Sequence, residues 1–242
     1  MKKIIAFVSV CLVGIIGIQQ ISAQFVEDTN KKFNISSITN GEITFGVRSG
    51  LNFASLSLSE DDDDLKSESR FSYSFGLIAD IPVTQNIYIQ PGLFLTNKGH
   101  KYTYKEEDYY GEYKGEITIE LPYIQIPILA SYRHNISNDL KWNIDFGPYL
   151  SYGIGSGKVK YKETYDGETE TESEDAFGDG DDNFGINRFD AGLCFGTGVT
   201  FNKAYIGIQY ELGLSDITNK DAWDKDFSAK TRNFSINIGY NF

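Results

Sequence analysis

Apolar and polar residues alternate with a period of two in eight separate stretches of this chain, a pattern that belongs to β-strands rather than helices. Ile43, Phe45, Val47, Leu51 and Phe53 share one phase, against Thr44, Gly46, Arg48, Gly50 and Asn52. Phe71, Tyr73, Phe75, Leu77, Ala79 and Ile81 alternate in the same way with Ser72, Ser74, Gly76 and Asp80. A third stretch runs from Ile87 through Ile89 and Leu93 to Leu95. The fourth, around Ile124, Ile126 and Ile128, is the least regular, with Pro122 and Pro127 and apolar residues in both phases. The other four begin at Leu140, Phe189, Ala204 and Phe234. In every stretch one phase is apolar and aromatic, and the other is mostly Gly, Ser, Asn and charged residues.

The connections alternate in length. Residues 55–69, 97–118, 154–186 and 215–229 are long, whereas 82–85, 133–139 and 202–203 are short. An even number of strands with long loops at one end and short turns at the other is the layout of an outer-membrane barrel. A soluble sandwich or lipocalin shares the strand count but has no reason to sort its loops. The many glycines on the polar phase suit a narrow interior, with the apolar phase turned to lipid. Mean hydropathy is −0.31, and no apolar run after the N-terminus is long enough for a membrane helix. The reading is therefore all-β: an eight-stranded antiparallel up-and-down transmembrane β-barrel over residues 42–242, with short periplasmic turns and long extracellular loops.

Lys2 and Lys3, the apolar residues 4–18 and the small residues Ile21-Ser22-Ala23 have the order of a secretory signal peptide. Cleavage is expected after Ala23. Cys11 lies inside the apolar run, which leaves Cys194 without an internal disulfide partner. Residues 24–41, with Phe25, Phe33, Ile35 and Ile38, form a periplasmic or plug-like segment or stay disordered.

The final residues Tyr240 and Phe242 continue the apolar phase of the last strand, as in the C-terminal signal that barrel-assembly machinery reads. Gly46-Val47-Arg48-Ser49-Gly50-Leu51-Asn52-Phe53 resembles the first-strand signature of the PorT-like outer-membrane β-barrel family of Bacteroidetes. Pro91-Gly92-Leu93, Tyr123-Ile124-Gln125-Ile126-Pro127, Gly147-Pro148-Tyr149-Leu150 and Tyr210-Glu211-Leu212-Gly213-Leu214-Ser215-Asp216-Ile217 are similar to later segments of that family. The resemblance covers about residues 42–242. It implies the fold and an outer-membrane location. For the named member it also implies a place in a protein-secretion apparatus.

No catalytic constellation stands out. His100 and His134 read as solvated loop histidines, and Cys194 as a small filler of the interior. The polar phase carries Arg48, Asp80, Arg133, Lys141, Asp145, Arg188, Asp190, Lys203 and Glu211, read as an interior salt-bridge network that stiffens the barrel. A narrow ion or proton path is the functional alternative. Eight strands enclose an interior that side chains fill, which argues against a diffusion pore.

Net charge is −12, which disfavours a nucleic-acid-binding surface. The acidity sits in the long loops, whose nets are −5 for 55–69, −1 for 97–118, −7 for 154–186 and −2 for 215–229. That distribution predicts a nearly neutral barrel with an anionic crown on one side. Residues 154–186 read as a solvated, mobile acidic loop. Between Asp175 and Asn183 the alternation of Asp and Gly resembles a calcium loop, without the spacing and closing Glu of the twelve-residue type. No other cofactor is indicated. Tyr102, Tyr104, Tyr109, Tyr110 and Tyr113 form a candidate recognition surface, or a hairpin that extends the third and fourth strands. Taken together, the residues favour a non-enzymatic outer-membrane protein that meets an unidentified protein or surface ligand through its outer loops. A secretion-apparatus component and a narrow channel are the alternatives.

Overall fold

The computed structural model describes residues 41–59, 66–108, 111–165, 168–179, 183–224 and 226–242. The expected signal peptide, residues 24–40, Asp61 to Asp64, Tyr109, Tyr110, Asp181 and Asp182 lie outside the described residues.

Eleven strands form one sheet among the described residues. They are β1 (Thr44–Leu58), β2 (Lys66–Glu68), β3 (Arg70–Pro82), β4 (Ile87–Asp108), β5 (Gly111–Asn135), β6 (Leu140–Gly153), β7 (Lys158–Tyr165), β8 (Glu168–Glu174), β9 (Phe189–Phe201), β10 (Ala204–Gly213) and β11 (Ala229–Asn241). The order is β2-β4-β3-β1-β11-β10-β9-β6-β5-β7-β8, and β4 pairs with β5 as well. Every strand pair is antiparallel. Starting from β4, the pairings run through β3, β1, β11, β10, β9, β6 and β5 and return to β4.

The alternation decides which side of the sheet each residue meets, because successive side chains point to opposite faces. Along β6 the even positions Trp142, Ile144, Phe146 and Leu150 are exposed, while Asn143, Asp145 and Ser151 are buried. The same inversion of the usual rule recurs around the circuit: Phe71 is 60% exposed and Asn52 is 0% exposed. Neighbouring strands line up their exposed apolar residues. Phe53 lies between Phe71 and Phe234, with ring centres 5.8 Å and 6.3 Å away. Such a belt forgoes about 1.5–3 kcal/mol per large side chain if it is left in water, and loses nothing against lipid.

The short connections lie together at one end. Between β9 and β10 the chain turns through Asn202 and Lys203, and Asn202 takes φ 53°, a conformation asparagine tolerates well. At the other end the strands outrun the lengths expected from alternation. Residues 97–108 and 111–118 are the upper parts of β4 and β5, and residues 154–186 contain the hairpin β7–β8 on the free edge of β5. Fifteen of the 33 residues of the expected mobile acidic loop are therefore strand. In β7 the phase of Val159, Tyr161 and Tyr165 is broken by Glu163, and β8 is polar on both phases (Glu-Thr-Glu-Thr-Glu), so the hairpin lacks the sustained apolar phase by which strands are usually recognised.

Candidate functional site

Two features at the long-connection end stand out: a buried polar interior and a two-faced sheet above it. The interior centres on Lys98, which projects from β4 in the phase of Thr96. Its ammonium donates to Asp190 Oδ2 at 2.9 Å, lies 3.3 Å from Glu211 Oε2 and sits 4.0 Å from the centre of the Tyr149 ring. All three charged side chains are at least nine-tenths buried. Desolvation of this kind is tolerable only when the remaining lone pairs are satisfied. Asp190 also accepts from Ser215 Oγ at 3.1 Å, Thr231 Oγ1 at 3.0 Å and the Tyr149 hydroxyl at 3.2 Å. Glu211 accepts from Gln125 Nε2 at 2.7 Å, Gln209 Nε2 at 3.1 Å and Asn233 Nδ2 at 3.3 Å.

A second interior cluster lies toward the short-turn end. Arg133 donates to Asp80 Oδ1 at 2.6 Å and stacks 4.2 Å from the Tyr88 ring centre, and Gln90 Nε2 donates to the same oxygen at 2.7 Å. Between the clusters, the Arg48 guanidinium lies 4.2 Å from the Tyr205 ring centre, and Asp145 Oδ2 accepts from Asn143 Nδ2 at 2.5 Å. Cys194 is fully buried, with Gln209 Nε2 at 3.8 Å from its sulfur.

Three of the nine expected interior charges lie elsewhere. Lys141 is exposed at the start of β6 and Lys203 is exposed in the β9–β10 turn, 6.0 Å from the Tyr240 ring centre. Arg188 precedes β9 and donates to the carbonyls of Gly153 at 3.1 Å and Gly155 at 2.6 Å. Alternation assigns a side of the sheet and says nothing of height, so residues beyond the strand ends reach solvent or loop backbone instead. His100 errs in the opposite direction. It is fully buried rather than solvated, accepts the Leu56 N–H at Nδ1 over 3.1 Å and packs edge-on 4.1 Å from Tyr102. His134 is exposed. Lys98 and His100 lie past Leu95, where the apolar phase of the third stretch stops. Carrying its polar phase on from Thr96 reaches both.

An apolar cap lies above Lys98. Leu56, Ile119, Leu121, Tyr123, Val159, Ala176, Phe177, Ile186, Ile217 and Ala229 form one buried cluster, with Tyr102 packed against it. Asp216 anchors the segment that delivers Ile217: Oδ1 accepts from the N–H of Thr218 at 3.0 Å and of Ala229 at 3.1 Å, and Oδ2 pairs with Lys220 at 2.7 Å. Asp175 of the calcium-like stretch turns its carboxylate to Lys158, 2.5 Å away, while Asn183 Oδ1 accepts the Gly185 N–H at 3.1 Å.

Above the cap, β2, β4, β5, β7 and β8 form a protruding sheet. Directly opposed residues share a face, so the register sorts its side chains. Tyr104 and Tyr113 (ring centres 5.9 Å apart), Tyr161, Glu163 and Tyr165 share one face with Glu168, Glu170, Glu172 and Glu174 of β8. Tyr161 donates its hydroxyl to Glu174. Lys101, Lys105, Lys114, Lys160 and Lys162 share the other face with Thr103, Thr118, Thr164, Thr169 and Thr171. The anionic crown expected from loop totals is thus split: the totals averaged over two faces of opposite sign.

Chain exit is at the short-turn end. Phe242 donates its N–H to the Phe45 carbonyl at 2.8 Å, and Tyr240 and Phe242 remain exposed with rings 5.8 Å apart.

Polar residues buried inside an antiparallel circuit and apolar residues exposed outside define a membrane β-barrel protein. The chain belongs to the family described as outer membrane protein beta-barrel domain, which matches residues 22–219. It is a protein of the cell outer membrane. Among solved structures it is similar to Ail, the attachment invasion locus protein of Yersinia pestis, in complex with the heparin analogue sucrose octasulfate, at 14% identity over 84% of this chain and 100% of that one, with a TM-score of 0.37. Neisserial surface protein A shares 13% identity over 83% of this chain and 98% of its own, with a TM-score of 0.40. The outer membrane protein OprG from Pseudomonas aeruginosa shares 13% over 83% and 94%, with a TM-score of 0.33. A search of curated proteins finds no match.

Proposed function

We propose that this chain is a non-enzymatic integral outer-membrane protein that works as a surface interaction module. In this reading the eight strands of the pairing circuit span the membrane as an up-and-down barrel, with the short turns in the periplasm and the protruding sheet outside the cell. The carrying observation is the double closure of the interior. The Lys98 cluster and the apolar cap fill the outer half, which leaves the sheet above the cap as the accessible surface. Its Tyr and Glu face offers broad aromatic contact with polar tips, the chemistry of recognition rather than of transport. The same closure argues against the narrow channel.

The experiment is a photo-crosslinking pull-down from intact outer membranes with the probe at Glu168 or Glu170, on the same face. The reading requires a discrete partner that is lost in a Tyr104→Ala/Tyr113→Ala/Tyr165→Ala variant of normal abundance. Equal capture by wild type and variant overturns it.

The PorT-like resemblance supports a second reading, a component of a protein-secretion apparatus. The residues that carry it, Tyr149, Glu211 and Ser215 among them, are those that build the interior cluster. Unchanged cargo secretion in a deletion strain sets this reading aside.

A further inference from the structure

The Lys and Thr face of the protruding sheet has no part in the recognition reading, and its position relative to the apolar belt is informative. On β4, stepping back two residues at a time from Lys101 passes Gly99 and Asn97 and arrives at Leu95 and Leu93, which are 55% and 52% exposed. The lysine face is therefore the upward continuation of the lipid-facing side. Six residues along a strand tilted as in membrane barrels rise about 15 Å, and a lysine side chain reaches several ångströms back toward an interface. Lys101, Lys158 and Lys160 fall at headgroup level, with Lys162 about 5 Å and Lys105 and Lys114 about 10 Å above them.

Charge on this face is out of balance with the rest of the chain. Lys101 pairs with Glu116 at 2.8 Å, Lys160 with Glu120 at 2.9 Å and Lys158 with Asp175 at 2.5 Å. Among the described residues Lys105, Lys114 and Lys162 make no ion pair, although Lys162 stands opposite Glu116 and Glu68 shares the face. Lys105 and Lys114 stand directly opposite each other across β4 and β5, a like-charge juxtaposition that destabilises a sheet unless an anion lies between. They line an open groove with Glu68, Lys101, Thr103 and Glu116. The glutamates of β8 point from the opposite face, so on the leaflet side the lysines outnumber the described carboxylates Glu68, Glu116 and Glu120.

We propose that this face docks on the anionic headgroup phosphates of the adjoining leaflet, with Lys105, Lys114 and Lys162 as the phosphate-binding cations and the threonines as hydroxyl donors. The proposal rests on the reading of the eight strands as membrane-spanning, and not on the recognition role. Docking of this kind holds the sheet against the bilayer and fixes the direction in which the Tyr and Glu face looks.

The test uses the full mature chain in nanodiscs of phosphatidylcholine alone and of an equimolar mixture with phosphatidylglycerol. Lysine acylation by an amine-reactive ester is followed by peptide mass spectrometry. Acylation of Lys105, Lys114 and Lys162 is expected to be about fivefold slower in the anionic discs, while Lys220, in the β10–β11 connection, reacts equally in both. Inorganic phosphate added to the phosphatidylcholine discs is expected to protect none of them; protection there at equal strength replaces lipid docking by free-anion binding and overturns the proposal. A Lys105→Gln/Lys114→Gln variant is expected to lose the protection of Lys162. Equal acylation rates in the two lipids, in protein that has inserted, overturn the docking and leave the spanning reading intact. Failure to insert into either disc overturns both.

Discussion

The ammonium of Lys98 and the carboxylate of Asp190 meet at 2.9 Å with essentially no solvent access to either, from strands that are not neighbours in the sheet. The contact crosses the interior and, with Glu211, ties β4 to β9 and β10. Removing the cation alone leaves two buried carboxylates unmatched. Lys98→Met is expected to cost about 3–5 kcal/mol, read as a lower temperature for loss of the heat-modifiable folded band on gels. A Lys98→Met/Asp190→Asn/Glu211→Gln triple variant is expected to recover most of the loss. Equal stability of Lys98→Met and wild type would refute the role of the cluster.

Gly99 lies between the two inward residues Lys98 and His100 and holds φ at 139°. A Cβ there would collide with the Ile119 carbonyl oxygen across the β4–β5 ladder. Gly99→Ala is expected to destabilise by about 1–3 kcal/mol and to expose the β4–β5 hairpin to trypsin. Ala at Gly155, where a Cβ meets nothing within 4 Å, controls for general loss of glycine, although its φ of 65° carries strain of its own.

Burial alone would raise the Asp216 carboxyl, but Lys220 and the Thr218 and Ala229 donors reverse this and hold it below its ordinary value of 3.8. The folded value lies under the unfolded one, so the stabilisation is complete above about pH 3.8 and fades as pH falls through the lowered folded value. Amide exchange at Thr218 and Ala229 is expected to accelerate in that acid window, relative to the intrinsic rate. In Asp216→Asn the acceleration is expected to be present already at neutral pH, with no acid step.

Ile217 is fully buried in the cap. Ile217→Ala is expected to weaken the cap by about 2–5 kcal/mol, with faster proteolysis within residues 175–187 while the barrel itself stays resistant to dodecyl sulfate. Loss of the whole folded band would show that cap and barrel are one cooperative unit.

The apolar phases of the eight circuit strands were legible because lipid imposes strict alternation on whatever it touches. Leu93, Phe146 and Ile208 needed no structure to be placed. The interior was legible by side but not by height: Asp80, Asp145, Asp190 and Glu211 were found, while Lys141 and Lys203, in the same phase or at its edge, lie at solvated ends. Lys98 was invisible for a related reason. Past Leu95 the outward phase of β4 turns polar, so the strand continues in residues that read as loop. The cap escaped altogether, because Phe177, Ile186 and Ile217 stand singly among polar residues and become a core only when four connections converge.

That convergence has a temporal consequence. The cap draws on chain positions from Leu56 to Ala229, so hardly any of its contacts are local. It can be complete only after Leu56 of the first strand and Ala229 of the last have been brought together. If the eight circuit strands span the membrane as proposed, the long connections cross the bilayer while still apart, and the wall closes before the cap is complete. A chain stalled before β11 pairs with β1 would therefore be held open at that end, with Phe177 and Ile217 unpacked and accessible to any chaperone that binds apolar side chains.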